Sequence, residues 1–185
     1  MVNILFGRIH ISVEAIILKF MILKESIVIK GIVDEDFVNY KIPSMTIMFP
    51  YCAFKCEVDG SNFCHNSSLI NEPNIKINIC DLYRRYSTNK ISEAVVCQGL
   101  EPFDSWDELN SLLFHFRIHE ACLDPFVIYT GYTKEEIIDK IQYIQTMYSN
   151  VVVKFGRFIP DQEHHYDEIL GVELASPNQY AEYIS

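Results

Sequence analysis

Positive charge is scarce in this chain. Lys and Arg total 15 against 25 Asp and Glu, which gives a formal net charge of −10 at pH 7 and a pI near 5.0. A protein that grips nucleic acid through its phosphates needs a basic face, so a general nucleic-acid binder is not expected. Long apolar runs are lacking too. The best candidate, residues 11–23, is interrupted by Glu14 and Lys19. It also falls short of the roughly 20 residues that a membrane span requires, and reads instead as a core helix or a pair of strands. No signal peptide, internal repeat or low-complexity tract is visible. Without a secretory signal, the six cysteines are not read as a disulfide framework. Cys80 and Cys97 lie inside apolar segments, where a thiol behaves as a small hydrophobe. A reducing, cytoplasmic setting is the expectation.

What the chain does have is a core. Its 185 residues are 49% hydrophobic and 22% charged, enough for one well-filled domain. Residues 1–43 differ from the rest. A β-branched run at 26–32 reads as a strand, Asp34-Glu35-Asp36 as a polar turn, and 37–42 as a second strand. This N-terminal extension is expected to be a hairpin laid on the main sheet or a small lobe.

From residue 44 onward strand and helix alternate. Strands are expected at 46–49, 93–97, 126–129 and 151–154, and a helix at 79–86. Ser105-Trp106-Asp107-Glu108 and Thr133-Lys134-Glu135-Glu136 read as capping boxes. The first opens a helix with Trp106, Leu109, Leu112, Leu113 and Phe116 on one face; the second precedes Ile137, Ile138, Ile141 and Ile144. Such alternation predicts an α/β fold with a mostly parallel sheet. Residues 157–185 read as a polar, irregular tail, with His164-His165 in a solvated turn.

In parallel sheets ligands bind beyond the carboxyl ends of the strands. Four unusual segments fall there. After the first strand comes Cys52-Ala53-Phe54-Lys55-Cys56, then seven residues, then Cys64-His65-Asn66. Gln98-Gly99-Leu100-Glu101-Pro102 follows the second strand, Tyr129-Thr130-Gly131-Tyr132 the third and Phe155-Gly156-Arg157 the fourth. Three thiolates on one loop suit a metal centre. An iron–sulfur cube needs four ligands, so three cysteines leave one iron open to a non-protein ligand. The same spacing suits a structural zinc site completed by His65 or a distant Cys, and chance clustering is the third alternative.

These motifs, taken in order, resemble the radical S-adenosylmethionine enzymes over residues 45–185. More closely, they resemble the activating proteins of anaerobic ribonucleoside-triphosphate reductase. The family's three cluster cysteines are matched by Cys52, Cys56 and Cys64, followed by Asn66 and the hydroxyls of Ser67 and Ser68. Its Gly-Gly-Asp/Glu-Pro is matched by Gly99-Leu100-Glu101-Pro102, and its Tyr/Trp-Thr-Gly-Tyr by Tyr129-Thr130-Gly131-Tyr132. Its late Gly-x-Phe and Ser-x-Asn-Gln are matched by Gly156-Arg157-Phe158 and Ser176-Pro177-Asn178-Gln179. The chain departs from the family in its seven-residue spacer before Cys64, in Leu100 for the second glycine, and in Phe155 where activases often carry an acid.

The resemblance implies a partial, open radical-SAM-type βα barrel over 44–185 that binds a 4Fe-4S cluster and S-adenosyl-L-methionine. Cys52, Cys56 and Cys64 would hold three irons. Phe63 would pack on adenine, with Cys64 and His65 bordering the cofactor. Gly99, Leu100, Glu101 and Pro102 would meet the methionine amino group, and Thr130 the ribose. Gly99 would be bare so that backbone can approach the ligand. No side chain is nominated as a catalytic acid or base. The implied partners are the glycyl-radical subunit of a class III anaerobic ribonucleotide reductase and a flavodoxin- or ferredoxin-like electron donor. Other readings remain: a radical enzyme acting on another peptide or small molecule, or a non-catalytic iron–sulfur or zinc module.

Overall fold

The computed structural model describes residues 4–6, 9–11, 23–55, 64 and 66–185. The apolar stretch at 12–22 lies outside them. Strands β1 (Ile4–Phe6) and β2 (Ile9–Ile11) form a two-stranded antiparallel sheet. Strand β3 (Ser26–Ile29) pairs antiparallel with β6 (Ile75–Asn78). The main sheet contains β4 (Gly31–Asp36), β5 (Ser44–Phe49), β7 (Ala94–Gly99), β8 (Phe126–Tyr129), β9 (Val151–Phe155) and β12 (Tyr180–Tyr183). Its order is β12-β9-β8-β7-β5-β4. The four central strands run parallel, and β4 and β12 are antiparallel edges.

The central strands are apolar runs because both faces are covered. Every residue of β9 is buried. One face carries Met45, Ile47, Phe49, Val95, Cys97, Phe126, Ile128, Val151 and Val153. Against it pack α1 (Ile79–Thr88), α2 (Trp106–Phe114) and α3 (Ile138–Met147), through Leu82, Leu109, Leu112, Ile141 and Ile144. The other face carries Ala94, Val96, Val127 and Val152. It is covered by Tyr40 and by Leu170 and Leu174 around the hairpin of β10 (His165–Asp167) and β11 (Val172–Leu174). The parallel strands thus wind in one direction and keep the three α-helices of the described residues on one face, as right-handed crossovers of constant direction require. No helix among the described residues is long and apolar enough to cross a membrane.

Several expectations are corrected. Asp34-Glu35-Asp36 is the end of β4 and not a turn, and 37–42 is a series of bends and not a strand. The reason is Asp36. Its buried carboxylate accepts from Thr46 Oγ1 on β5 and from the N–H groups of Val38 (2.9 Å) and Asn39 (3.3 Å), so it ends the strand and turns the chain. Ile27 and Ile29 of β3 are fully buried in the main core.

The tail is not irregular: it supplies β10, β11 and the edge strand β12. His164 is exposed, and His165 lies in β10.

The box at Ser105 does not form. Helix α2 is entered through a 3-10 turn, Pro102–Ser105, capped by Glu101, so Ser105 already lies inside helical chain and makes no cap bond. Glu108 pairs with Lys24 instead. The box at Thr133 does form: Thr133 N–H donates to Glu136 Oε2 at 2.9 Å, and Glu136 N–H to Thr133 Oγ1 at 3.4 Å.

Candidate functional site

The carboxyl ends of β5, β7, β8 and β9 meet at one rim, and polar groups fasten them to one another. Beyond β5, the carbonyls of Phe49 and Tyr51 accept from the N–H groups of Leu100 (3.2 Å) and Glu101 (2.7 Å), so the cysteine loop leaves the sheet alongside β7. Asp104 accepts from Ala53 N–H and from the Tyr132 hydroxyl, both at 2.6 Å. Asn66 Nδ2 donates to the Gly99 carbonyl at 2.7 Å, tying the far end of the same loop to β7.

Phe54 has a φ of 51°, in the left-handed region, and its N–H donates to Cys52 Sγ at 3.2 Å. A donor aimed at sulfur favours the thiolate, the form in which cysteine binds metal.

Glu101 organises the next two strand ends. It is 5% exposed. Its Oε1 accepts from Thr130 Oγ1 (2.8 Å) and Phe103 N–H (3.1 Å), and its Oε2 from Gly131 N–H (2.9 Å). Burial pushes its pKa up to about 7 despite these donors. Lys154 of β9 is also buried. Its Nζ donates to the Gly156 carbonyl at 2.9 Å, and burial pulls its pKa down to about 8 against the opposing pull of Glu101.

The last two sequence motifs form one unit here. Gln179 Nε2 donates to the Gly156 carbonyl (3.3 Å) and Asn178 Nδ2 to the Arg157 carbonyl (2.9 Å). Gly156 has a φ of +96°, and a Cβ there would run into the Asn178 carbonyl.

Between these ends lies an open cavity of about 320 Å³, on the face of the sheet opposite α1, α2 and α3. Cys52 and Cys64 stand on its wall with Gln98, Glu101, Thr130 and Lys154. The volume is in the range of small-molecule and cofactor sites. Arg157 lies on the wall and pairs with Glu136 at 2.7 Å.

Gly99, Leu100, Glu101 and Thr130 all line this cavity. Pro102 is buried and opens the 3-10 turn. Cys56, Phe63 and His65 lie outside the described residues.

The requirement for glycine at 99 is met within the fold. Its φ is +99°, and a Cβ would stand 2.8 Å from Phe49 N and 2.9 Å from Met48 Cα. The backbone that approaches Gly99 within the protein is that of β5. The carboxylate of Glu101 is likewise engaged by protein donors.

Lys154 escaped the sequence reading. Its signal was a single cation within the otherwise apolar Val151–Phe155 strand.

Among the described residues, the side chains that converge as a possible metal group are His115, His119 and Glu120, far along α2 from the rim. No family model matches the chain, and no curated protein or solved structure matches it.

Proposed function

We propose that this chain is a radical S-adenosylmethionine enzyme of the glycyl-radical-activating type. The observation that carries the reading is the position of Cys52 and Cys64. Both border one cavity that runs from the end of β5 across the ends of β7, β8 and β9, where the Glu101-Pro102 and Tyr129-Thr130-Gly131-Tyr132 motifs also lie. The donor set fits the cluster: two partly exposed thiols on the wall, a third cysteine in the segment between them, and an N–H directed at the first sulfur. The one-directional winding with helices on a single face is that of βα barrels, here as an open sheet.

In this reading Cys52, Cys56 and Cys64 hold a 4Fe-4S cluster. Such a cluster supplies, when bound, an open iron for the amino and carboxylate groups of S-adenosylmethionine and the electron that cleaves its sulfonium bond. The remaining work belongs to this chain. Asn66 holds the cysteine loop against β7. Glu101, bound to Thr130 and Gly131, keeps the ends of β7 and β8 in register beneath the ligand. Lys154, on the wall beside Glu101, offers a cation that a ligand carboxylate could meet. The proposed substrate is the glycine-bearing segment of a class III anaerobic ribonucleotide reductase, with a flavodoxin- or ferredoxin-like protein as reductant.

The test is anaerobic reconstitution with iron and sulfide, followed by reduction with S-adenosylmethionine and the reductase. Four irons per chain, 5′-deoxyadenosine and a glycyl radical by electron paramagnetic resonance are expected. Deoxyadenosine without a glycyl radical would keep the radical enzyme and reject this partner. Stoichiometric zinc with no iron would overturn the whole reading in favour of a binding module.

A further inference from the structure

At the other end of α2 the helix widens into one turn of π-helix, His115–His119. The N–H of Glu120 donates to the His115 carbonyl at 2.9 Å, five residues back. In an α-helix only residues three and four apart share a face. A bond from i+5 brings residue i+5 back over residue i as well, and such turns recur at functional sites. Both His119 and Glu120 therefore lie over His115.

The side chains use this placement. The His115 and His119 rings stack with their centres 4.7 Å apart. Glu120 Oε1 is 3.3 Å from His115 Nε2 and 3.0 Å from His119 Nδ1. All three ligand atoms fall within 4.8 Å of one another. The 3.3 Å separation is not a hydrogen bond in its angles, and His115 Nε2 is buried with no hydrogen-bond partner among the described residues. A buried, orphaned ring nitrogen facing a carboxylate needs an explanation.

We propose that His115 Nε2, His119 Nδ1 and Glu120 form a binding site for a zinc-class divalent cation, with water completing a four-coordinate shell. Two imidazoles and one carboxylate with an open position are a zinc donor set, and imidazole selects against magnesium and calcium. The spacing agrees. A tetrahedral ion with bonds of about 2.0–2.1 Å holds its ligand atoms roughly 3.3 Å apart, close to both measured separations from the carboxylate oxygen; the ligand atoms of the two rings lie within 4.8 Å of each other and would draw together on the ion. The ion would sit in the gap between the rings and the carboxylate, giving His115 Nε2 the partner it lacks. The site lies on the connection between α2 and β8, so a bound ion would staple that turn. It shares no residue with the cavity at the carboxyl rim, and its failure would leave the proposed function standing.

The test uses the full chain with Cys52, Cys56 and Cys64 changed to Ser, so that zinc cannot occupy the thiolate loop. Zinc chloride should give one retained equivalent and a rise in Tm, and magnesium chloride at the same concentration should give neither. Cobalt chloride should give the visible absorption of a four-coordinate ion without a thiolate charge-transfer band. His119 is 64% exposed at its side chain, so His119→Ala leaves the fold intact. That change and Glu120→Gln should each weaken zinc binding by at least about tenfold, the lower bound for losing even an outer-shell partner. Repeating the His119→Ala titration on the chain with its cysteines restored reads the same difference should the Ser variant fold poorly. No zinc binding, or binding unchanged by both substitutions, would overturn the site.

Discussion

The two ends of the parallel sheet are held by the same device with opposite charge. At the carboxyl rim a buried anion, Glu101, gathers two N–H groups and a hydroxyl from the ends of β7 and β8. At the amino rim a buried cation, Arg117, gathers the carbonyls that precede β8 and β9. Its guanidinium donates to Cys122 and Asp124 (both 2.6 Å), Ser149 (2.7 Å) and Asn150 (3.2 Å). The signs follow from the backbone, because donors converge on the first clasp and carbonyls on the second. Their consequences differ. Arginine keeps its charge at any accessible pH, so the lower clasp is permanent. Glu101 sits near neutrality, and the upper clasp, the one beside the cavity, can change its charge.

Breaking the permanent clasp should cost most. Arg117→Met keeps much of the stem but strands several buried carbonyls. A loss of about 3–5 kcal/mol is expected, the range for removing one partner of a buried charged network. Urea unfolding measures it. Arg117→Lys should recover little, because one ammonium cannot reach four carbonyls spread over two connections. A loss below about 1 kcal/mol would mean the loops are held by packing alone.

The titratable clasp predicts a trough in stability against pH. Glu101 ionises near its ordinary 4.5 in the unfolded chain and at about 7 in the fold. Between those values the unfolded state has already lost the proton that the folded state keeps. Stability therefore falls as pH rises from about 4.5 to 7, by an amount on the order of 3 kcal/mol. Lys154 runs the other way. Its pKa drops from 10.5 to about 8 on folding, so between those values the unfolded state holds the extra proton and stability climbs with pH by a similar amount. The minimum lies between pH 7 and 8, where both groups carry charge in the fold. Urea midpoints of the wild type and of Glu101→Gln/Lys154→Met, compared across pH, should diverge in those two windows. Parallel profiles would remove charge from the description of this rim.

How much of this the sequence disclosed depends on where each contact comes from. The β8 strand was legible to the residue, because Phe-Val-Ile-Tyr is a short apolar run between turn residues and is buried on both faces. The rim segments were legible for the same reason, since each begins where an apolar run stops. Asp36 misled because a polar triplet reads as a turn, whereas here an edge strand tolerates charge on its open side and Asp36 finds Thr46 across the ladder. The strands of the tail are only three or four residues long and exist through long-range pairing that no local pattern records. Ser105 followed the capping rule in sequence, but Glu101 had already begun the helix one turn earlier. Arg117 looked like an ordinary basic residue near a helix end. Its four partners come from two loops that meet only in the folded chain.

The smallest change to the fold should fall on Asn66, and it separates holding the cysteine loop from holding the sheet. Its side chain reaches from just beyond Cys64 to the Gly99 carbonyl at 2.7 Å. It belongs to neither clasp, and Asn66 is exposed. Asn66→Ala should therefore cost only about 1 kcal/mol of global stability, the net worth of one such hydrogen bond. Its effect on the loop should be larger in kind. Cys64 lies two residues away, and the Gly99 carbonyl is the anchor that sets this end of the loop against β7. Under the proposed function, the variant should unfold at nearly the wild-type urea concentration yet lose reconstituted iron faster on exposure to a chelator. Asn66→Asp should not rescue it, because a carboxylate cannot donate to a carbonyl. Iron release at the wild-type rate would show that the loop is positioned by its cysteines alone and that Asn66 is incidental to the site.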